Sequence, residues 1–442
     1  MKHLSSIFGL ISLVSIAVTS TPLQPSAQAA APPASSHDPI SAQLFYELEE
    51  LSRIVDIAYC VGMTGISKPF SCASRCSEFP DLELVSTFNT GPLMSDSCGY
   101  VALDHGKGPN ARGRILVAFR GTYSITNTIV DLSTVPQEYV PYPGNSTKSS
   151  HPPRRRKFFD WVFASSPEAE IPLTSGRECM NCTVHTGFWT SWQNTRPHVL
   201  PHLEDLRARF PAYELHVVGH SLGGAVAALA ALELESRAWK TTVTTFGEPR
   251  VGNAGLRDFV NEVFDLVDSE GRPQPHEGRY RRVTHANDPV PLLPLEEWGY
   301  LPHSGEVYIS KGPLQPSPSD VWLCFGDEDP DCISASANST SWFSAADLDD
   351  IDAAVVPSDE DIDSETLRAR WGLSIPARYR IWQLFFAHRD YFWRLGLCVP
   401  GGDPFDWGRN KYGSGGGDTS SYRASMEDMV ADERAAERAK EL

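Results

Sequence analysis

Hydrophobic positions along this chain change period several times, and the changes mark out its elements. Between Gln43 and Tyr59, Leu44, Leu48, Leu51, Val55 and Ala58 recur at helical spacing, which predicts an amphipathic helix opening the folded domain. Strand candidates follow at Tyr100–Leu103, Ile115–Arg120, Leu215–Val218, Val243–Phe246, Tyr280–Thr284 and Glu306–Ile309. Helical stretches lie between several of them, at Trp189–Arg209, Ala225–Arg237 and Ala254–Phe264. Strands alternating with helices, and a continuous apolar run before Gly219, point to an α/β fold around a mainly parallel central sheet flanked by helices.

The first apolar run reads differently. Ile7 to Val18 follows Lys2 and His3 and ends in small residues at Val18-Thr19-Ser20 or Ala27-Gln28-Ala29. That is the layout of a secretory signal peptide over residues 1–20, with cleavage as late as residue 29. It is too short for a comfortable membrane span, and no later segment has the ~20 apolar residues a transmembrane helix needs. Residues 21–40, rich in Pro, Ala and Ser, read as a linker or pro-segment ahead of a domain at 41–400. Two inserts interrupt that domain, near 141–178 with the basic cluster Arg154-Arg155-Arg156-Lys157, and near 337–366 with many aspartates. The acidic insert lacks the glycine and terminal glutamate of an EF-hand loop and reads as solvated. Residues 401–442 read as a flexible tail whose last four, Ala439-Lys440-Glu441-Leu442, are a poor match to an ER-retention signal.

Composition narrows the partners. The chain has 442 residues, 41% hydrophobic and 21% charged, an ordinary globular balance. Its net charge of -18 argues against nucleic acid and against purely electrostatic membrane adhesion. Nine cysteines fit an oxidising route. The close pairs Cys72/Cys76, Cys179/Cys182 and Cys324/Cys332 read as local staples, and Cys60 with Cys398 would then be a long-range clamp leaving Cys98 unpaired, a connectivity spacing alone does not prove. Sequons at Asn145, Asn181 and Asn338 agree with secretion. Histidines at zinc-ligand spacing are missing, so no metal or cofactor is expected.

The chemistry gathers at Gly219-His220-Ser221-Leu222-Gly223-Gly224, between a strand and a run of helix formers. The glycines permit the sharp turn that exposes a serine at a helix N-terminus, where the Leu222 N–H can meet a developing oxyanion. A serine needs a base, and the base needs an acid to orient it. Asp288, in Asn287-Asp288-Pro289-Val290-Pro291, follows a strand and lies on the edge where α/β folds place their sites. Two histidines come later. His303 sits only a few residues before a strand, whereas His388 lies in the late aromatic loop Phe385-Phe386-Ala387-His388-Arg389-Asp390-Tyr391-Phe392, so His388 is the favoured base. A second oxyanion donor is expected at Thr122 in Phe119-Arg120-Gly121-Thr122. Ile125, Ile129 and Leu132 then share one face of a short helix, which reads either as a lid over the site or as a helix packed permanently on the core.

These motifs, with Phe246-Gly247-Glu248-Pro249-Arg250-Val251-Gly252-Asn253 and Ala387-His388-Arg389-Asp390-Tyr391-Phe392, occur in the order seen in secreted fungal class 3 lipases. The resemblance runs from about Gln43 to Cys398. It implies an α/β-hydrolase fold, hydrolysis of acylglycerol or related esters, Ser221, Asp288 and His388 as triad, and Thr122 with Leu222 as oxyanion donors. It also supports pairing Cys60 with Cys398, Cys179 with Cys182 and Cys72 with Cys76. The expected partner is a lipid or ester substrate at a lipid–water interface, met after export. The lid region lacks the tryptophan familiar from filamentous-fungal lipases, and the two inserts have no counterpart in compact members. Feruloyl esterases share the fold and triad, and a catalytically silent binding protein on the same fold is a third expectation.

Overall fold

A computed structural model describes residues 37–91, 96–106, 113–122, 132, 139–141, 179–267, 278–334 and 386–407. Its strands are β1 (Ile66–Ser67), β2 (Ser71–Cys72), β3 (Leu82–Asn89), β4 (Cys98–Asp104), β5 (Arg114–Phe119), β6 (Tyr139–Pro141), β7 (Thr183–His185), β8 (Glu214–His220), β9 (Thr241–Phe246), β10 (Tyr280–His285), β11 (Glu306–Ile309) and β12 (Val321–Leu323). The α-helices of at least ten residues among the described residues are α1 (Ala42–Ile57), α2 (Thr186–Arg209), α3 (Leu222–Ser236) and α4 (Ala254–Val263).

Eight strands form the main sheet in the order β12-β11-β10-β9-β8-β5-β4-β3. β5, β8, β9, β10 and β11 run parallel to one another, while β3, β4 and β12 join antiparallel at the two edges. Strand side chains alternate between two cores. Val101, Ile115, Val117, Leu215 and Val217 enter the core shared with α2 and α3, while Tyr100, Leu116, Ala118, Val218 and Phe246 enter the core shared with α1. Both faces are therefore covered, as a parallel sheet requires. The mainly parallel α/β architecture anticipated above is the one observed.

Helix α2 carries Pro197 and Pro201 inside it. Each removes one backbone hydrogen bond. Buried Phe188, Trp192, Val199, Leu203 and Leu206 hold the helix in spite of them, each such side chain contributing about 1.5–3 kcal/mol by burial.

Packed residues lie on both sides of the expected span 41–400. His37 is buried, its Nε2 2.7 Å from Asp329 Oδ2, and the Ile40 N–H donates to the Val321 carbonyl at 3.0 Å, so packed residues precede 41. At the other end Asp403 and Asp406 are buried beyond residue 400, and the fold continues to Trp407. The reason is the same at both ends: a few backbone and carboxylate bonds to distant residues fasten segments whose composition reads as loose. The structure joins Cys60 to Cys398, Cys72 to Cys76, Cys179 to Cys182 and Cys324 to Cys332, and leaves Cys98 free and buried. The signal segment, the insert expected near 141–178 apart from Pro141 at the end of β6, the insert expected near 337–366, and Asn145 and Asn338 lie outside the described residues.

Candidate active site

Strand β8 passes into α3 through a single residue, Ser221, with φ 58° and ψ -131°. An L side chain takes that conformation only under strain. Neighbouring strands hold it: the Ser221 N–H donates to the Phe246 carbonyl at 2.9 Å, and the Ser221 carbonyl accepts from Gly224 N at 2.8 Å. Leu222 opens α3, where a backbone N–H has no carbonyl four residues back to meet. Thr122 follows β5 and is half-buried. Gly121 presses that loop against the serine turn, since a Cβ there would lie 2.6 Å from Ser221 Cβ and 2.7 Å from the Tyr59 hydroxyl.

Asp288 occupies the turn after β10, and His388 comes to it from a hundred residues further on. Nδ1 of His388 lies 2.9 Å from both Asp288 oxygens. Both side chains are fully buried. The Tyr391 hydroxyl donates to Asp288 Oδ2 at 2.5 Å and the Val290 N–H to Oδ1 at 2.9 Å. Burial by itself would raise the Asp288 carboxyl, but the His388 imidazole and these donors outweigh it and hold the group below the usual carboxylate range. An ionised Asp288 keeps the His388 proton on Nδ1 and leaves Nε2 as the basic nitrogen. Ser221 Oγ and His388 Nε2 are both buried and have no hydrogen-bond partner among the described residues. These two atoms sit on residues drawn together through His220, which precedes Ser221 in the chain and stacks on His388. Gly247 closes the group with φ 61°: a Cβ would fall 2.6 Å from the Tyr391 hydroxyl, 2.8 Å from His388 Cε1 and 3.0 Å from Asp288 Oδ2.

One buried chain of hydrogen bonds links the two halves. The Gly121 N–H donates to the Tyr59 hydroxyl at 3.1 Å, that hydroxyl lies 2.5 Å from His220 Nδ1, and His220 Nε2 lies 2.9 Å from the His388 carbonyl. A carbonyl only accepts, so His220 carries its proton on Nε2 and takes the Tyr59 hydroxyl hydrogen at Nδ1. Burial, then the neighbouring His388, lowers His220 to about 3, which keeps it neutral. Its ring stacks on that of His388 at 4.8 Å between centroids. Neither Tyr59 nor Tyr391 was singled out by sequence reasoning. Tyr391 sits in the same aromatic loop as His388, whereas Tyr59 meets a residue 161 positions away and leaves no local signal.

Residues 116–298 match the family described as lipase (class 3). The chain is 54% identical over 398 residues to secreted mono- and diacylglycerol lipase 2 of Gibberella zeae, covering 88% of this chain and 90% of that one. It belongs to the class 3 lipases. This lipase is also 52% identical over 395 residues to lipase A of Sodiomyces alcalophilus, covering 87% and 88% of the two chains. Among solved structures it resembles the Lip2 lipase of Yarrowia lipolytica, with a TM-score of 0.58 and 27% identity over 83% of this chain and 98% of that one. The shared architecture is the α/β-hydrolase fold.

The remaining predicted positions of the lipase divide. His303, the alternative base, lies away from the Asp288–His388 pair: its Nε2 is 3.1 Å from Glu248 Oε1 and its Nδ1 2.7 Å from the Ser304 carbonyl. Leu132 is buried in the core with α2 and α3, and Ile125 and Ile129 lie outside the described residues. Asn181 is exposed in the turn between Cys179 and Cys182. Two groups of described residues approach metal-ligand geometry, but both include Cys332, whose sulfur is committed to Cys324. No helix among the described residues is long and apolar enough to cross a membrane.

Proposed function

We propose that this lipase hydrolyses acylglycerols with Ser221 as nucleophile, His388 as general base and acid, Asp288 as its orienting carboxylate, and Leu222 N–H with Thr122 as oxyanion donors. Ser221 Oγ bonds to the ester carbonyl carbon while His388 Nε2 takes its proton, and the carbonyl electron pair moves onto oxygen. Collapse breaks the bond to the leaving alcohol, which departs with the proton from His388. Water then attacks the acyl-enzyme through the same base, releasing the acid and returning the proton to Ser221. The observation that carries this reading is the buried Asp288–His388 pair, with His388 Nε2 unpartnered among the described residues and its ring stacked on His220, the residue before a strained Ser221.

The preferred substrates in this proposal are glycerides with a free hydroxyl, in keeping with the name of the Gibberella zeae relative. Relatives are named as secreted. This chain is exported behind residues 1–20 and glycosylated on its sequons, Asn181 among them. The segment carrying Ile125 and Ile129 serves as lid, anchored where Leu132 enters the core.

The test uses emulsified mono-, di- and triolein and a p-nitrophenyl ester series, with the unaltered protein and Ser221→Ala. The substitution should lower kcat about 10⁶-fold, monoolein and diolein should turn over faster than triolein, and rates should rise on emulsion. Equal rates in the two proteins would sink the serine mechanism. Turnover confined to soluble aromatic esters would remove the glyceride assignment and favour a feruloyl esterase.

A further inference from the structure

The Cys60–Cys398 bond fastens the end of the loop that holds His388, yet the packed chain runs on for another nine residues to Trp407. Those residues fold back on themselves: the Gly402 N–H donates to the Val399 carbonyl at 3.0 Å and Asp406 N–H to Asp403 O at 2.8 Å. They send two carboxylates inward. Asp403, fully buried, accepts from the Arg389 guanidinium at 2.5 Å, and Asp406 Oδ2 accepts from the Arg394 N–H at 2.8 Å. Arg389 is the residue after His388, is itself buried, and turns its Nε onto the Leu395 carbonyl at 2.5 Å. The Leu395 N–H returns to the Arg389 carbonyl at 2.9 Å. Gly402 lies hard against Arg75, whose guanidinium stacks on Trp393 at 4.5 Å, so the segment seats closely on the far side of the same loop.

We infer that Asp403 is a positioning residue for His388. It acts through Arg389: the carboxylate neutralises and aims a buried guanidinium that closes the loop 389–395, and that closure sets where the His388 ring meets Ser221. A buried arginine that loses its carboxylate partner is driven to rearrange, and a shift of about 1 Å in a catalytic group costs on the order of 10²-fold in rate. The inference rests on the proposed role of His388.

The experiment measures kcat and KM of the full chain on a soluble p-nitrophenyl ester, with rates divided by sites titrated to completion with a serine-directed phosphonate, so that loss of folded protein does not enter. Asp403→Asn should lower kcat per site by about 10- to 100-fold with KM within about twofold. Arg389→Gln should act similarly, and the double variant should be no slower than the slower single, because both changes break one connection. Trp407→Ala, at an exposed position, should leave kcat unchanged. A normal kcat per site in Asp403→Asn, or fully additive losses in the double variant, overturns the inference. Ser221→Ala and His388→Ala run alongside: activity surviving in them overturns the triad, whereas their silence beside a normal Asp403→Asn overturns the positioning role alone.

Discussion

The proposed nucleophile and the proposed base of this lipase are held in opposite ways. Ser221 is set mainly by its chain neighbours, strand β8 before it, helix α3 after it and glycines that let the two approach, with one backbone bond to Phe246 on the adjacent strand. His388 lies in a loop with little regular structure and is held by residues far off in the chain, Asp288 at a separation of 100 and His220 at 168, with the Cys60–Cys398 bond spanning 338. A short-range turn tolerates changes elsewhere, while a long-range assembly depends on every tether. The serine side should therefore survive perturbations that disable the histidine side.

The largest break comes from Asp288→Asn, which keeps the shape and loses the charge that orients His388. It should lower kcat about 10⁴-fold with the fold retained, checked by kinetics beside circular dichroism. Removing the clamp with Cys60→Ser and Cys398→Ser should cost about 2–5 kcal/mol in chemical denaturation. Activity should fall at lower denaturant than the protection of β8 amides in hydrogen exchange, and simultaneous loss would contradict the contrast. Gly247→Ala drives a Cβ into Tyr391, His388 and Asp288 and adds about 1–2 kcal/mol of left-handed strain. Its kcat should drop about 10²-fold, whereas a comparable rate would show that the site relaxes.

The smallest effect is on pH dependence. His220, lowered to about 3 by burial from an ordinary 6.5, stays neutral in the folded protein while an unfolded histidine protonates. Its contribution to stability is therefore complete above about pH 6.5 and is lost as pH falls toward 3. His185, lowered to about 4, acts in the same direction. Asp56, raised to about 6 by burial against the opposing pull of Arg75, acts the other way between about pH 4 and 6. Comparison of variants isolates one group: His220→Gln should lose less melting temperature than the unaltered protein between pH 7 and 5, and parallel losses would remove the assignment.

Legibility followed the same divide. The parallel strands were readable because β5 and β8 carry apolar runs and β9, β10 and β11 are rich in β-branched and aromatic residues, and Glu306–Ile309 matches its expected bounds. Edge strands β3 and β12 were missed. β3 changes register between Leu84 and Ser86, which breaks its alternation, and β12 has only three residues. Asp288 and His388 were picked out as a pair by their place after the sheet strands, and their side chains do meet. Tyr59, His220 and Asp403 were not, since a buried hydrogen bond between distant residues imposes no period on either segment.

By itself the sequence determined the alternation that builds the sheet, the glycine-flanked turn at Ser221, and the order serine, acid, histidine. Those follow from steric and burial preferences acting over a few residues. Only the tertiary structure decided that His388 rather than His303 reaches Asp288, that Tyr59 and His220 join the two halves, and that the chain past Cys398 packs behind the histidine loop. Such contacts exist only once the sheet has carried remote segments together and burial has made each unpaired polar group costly.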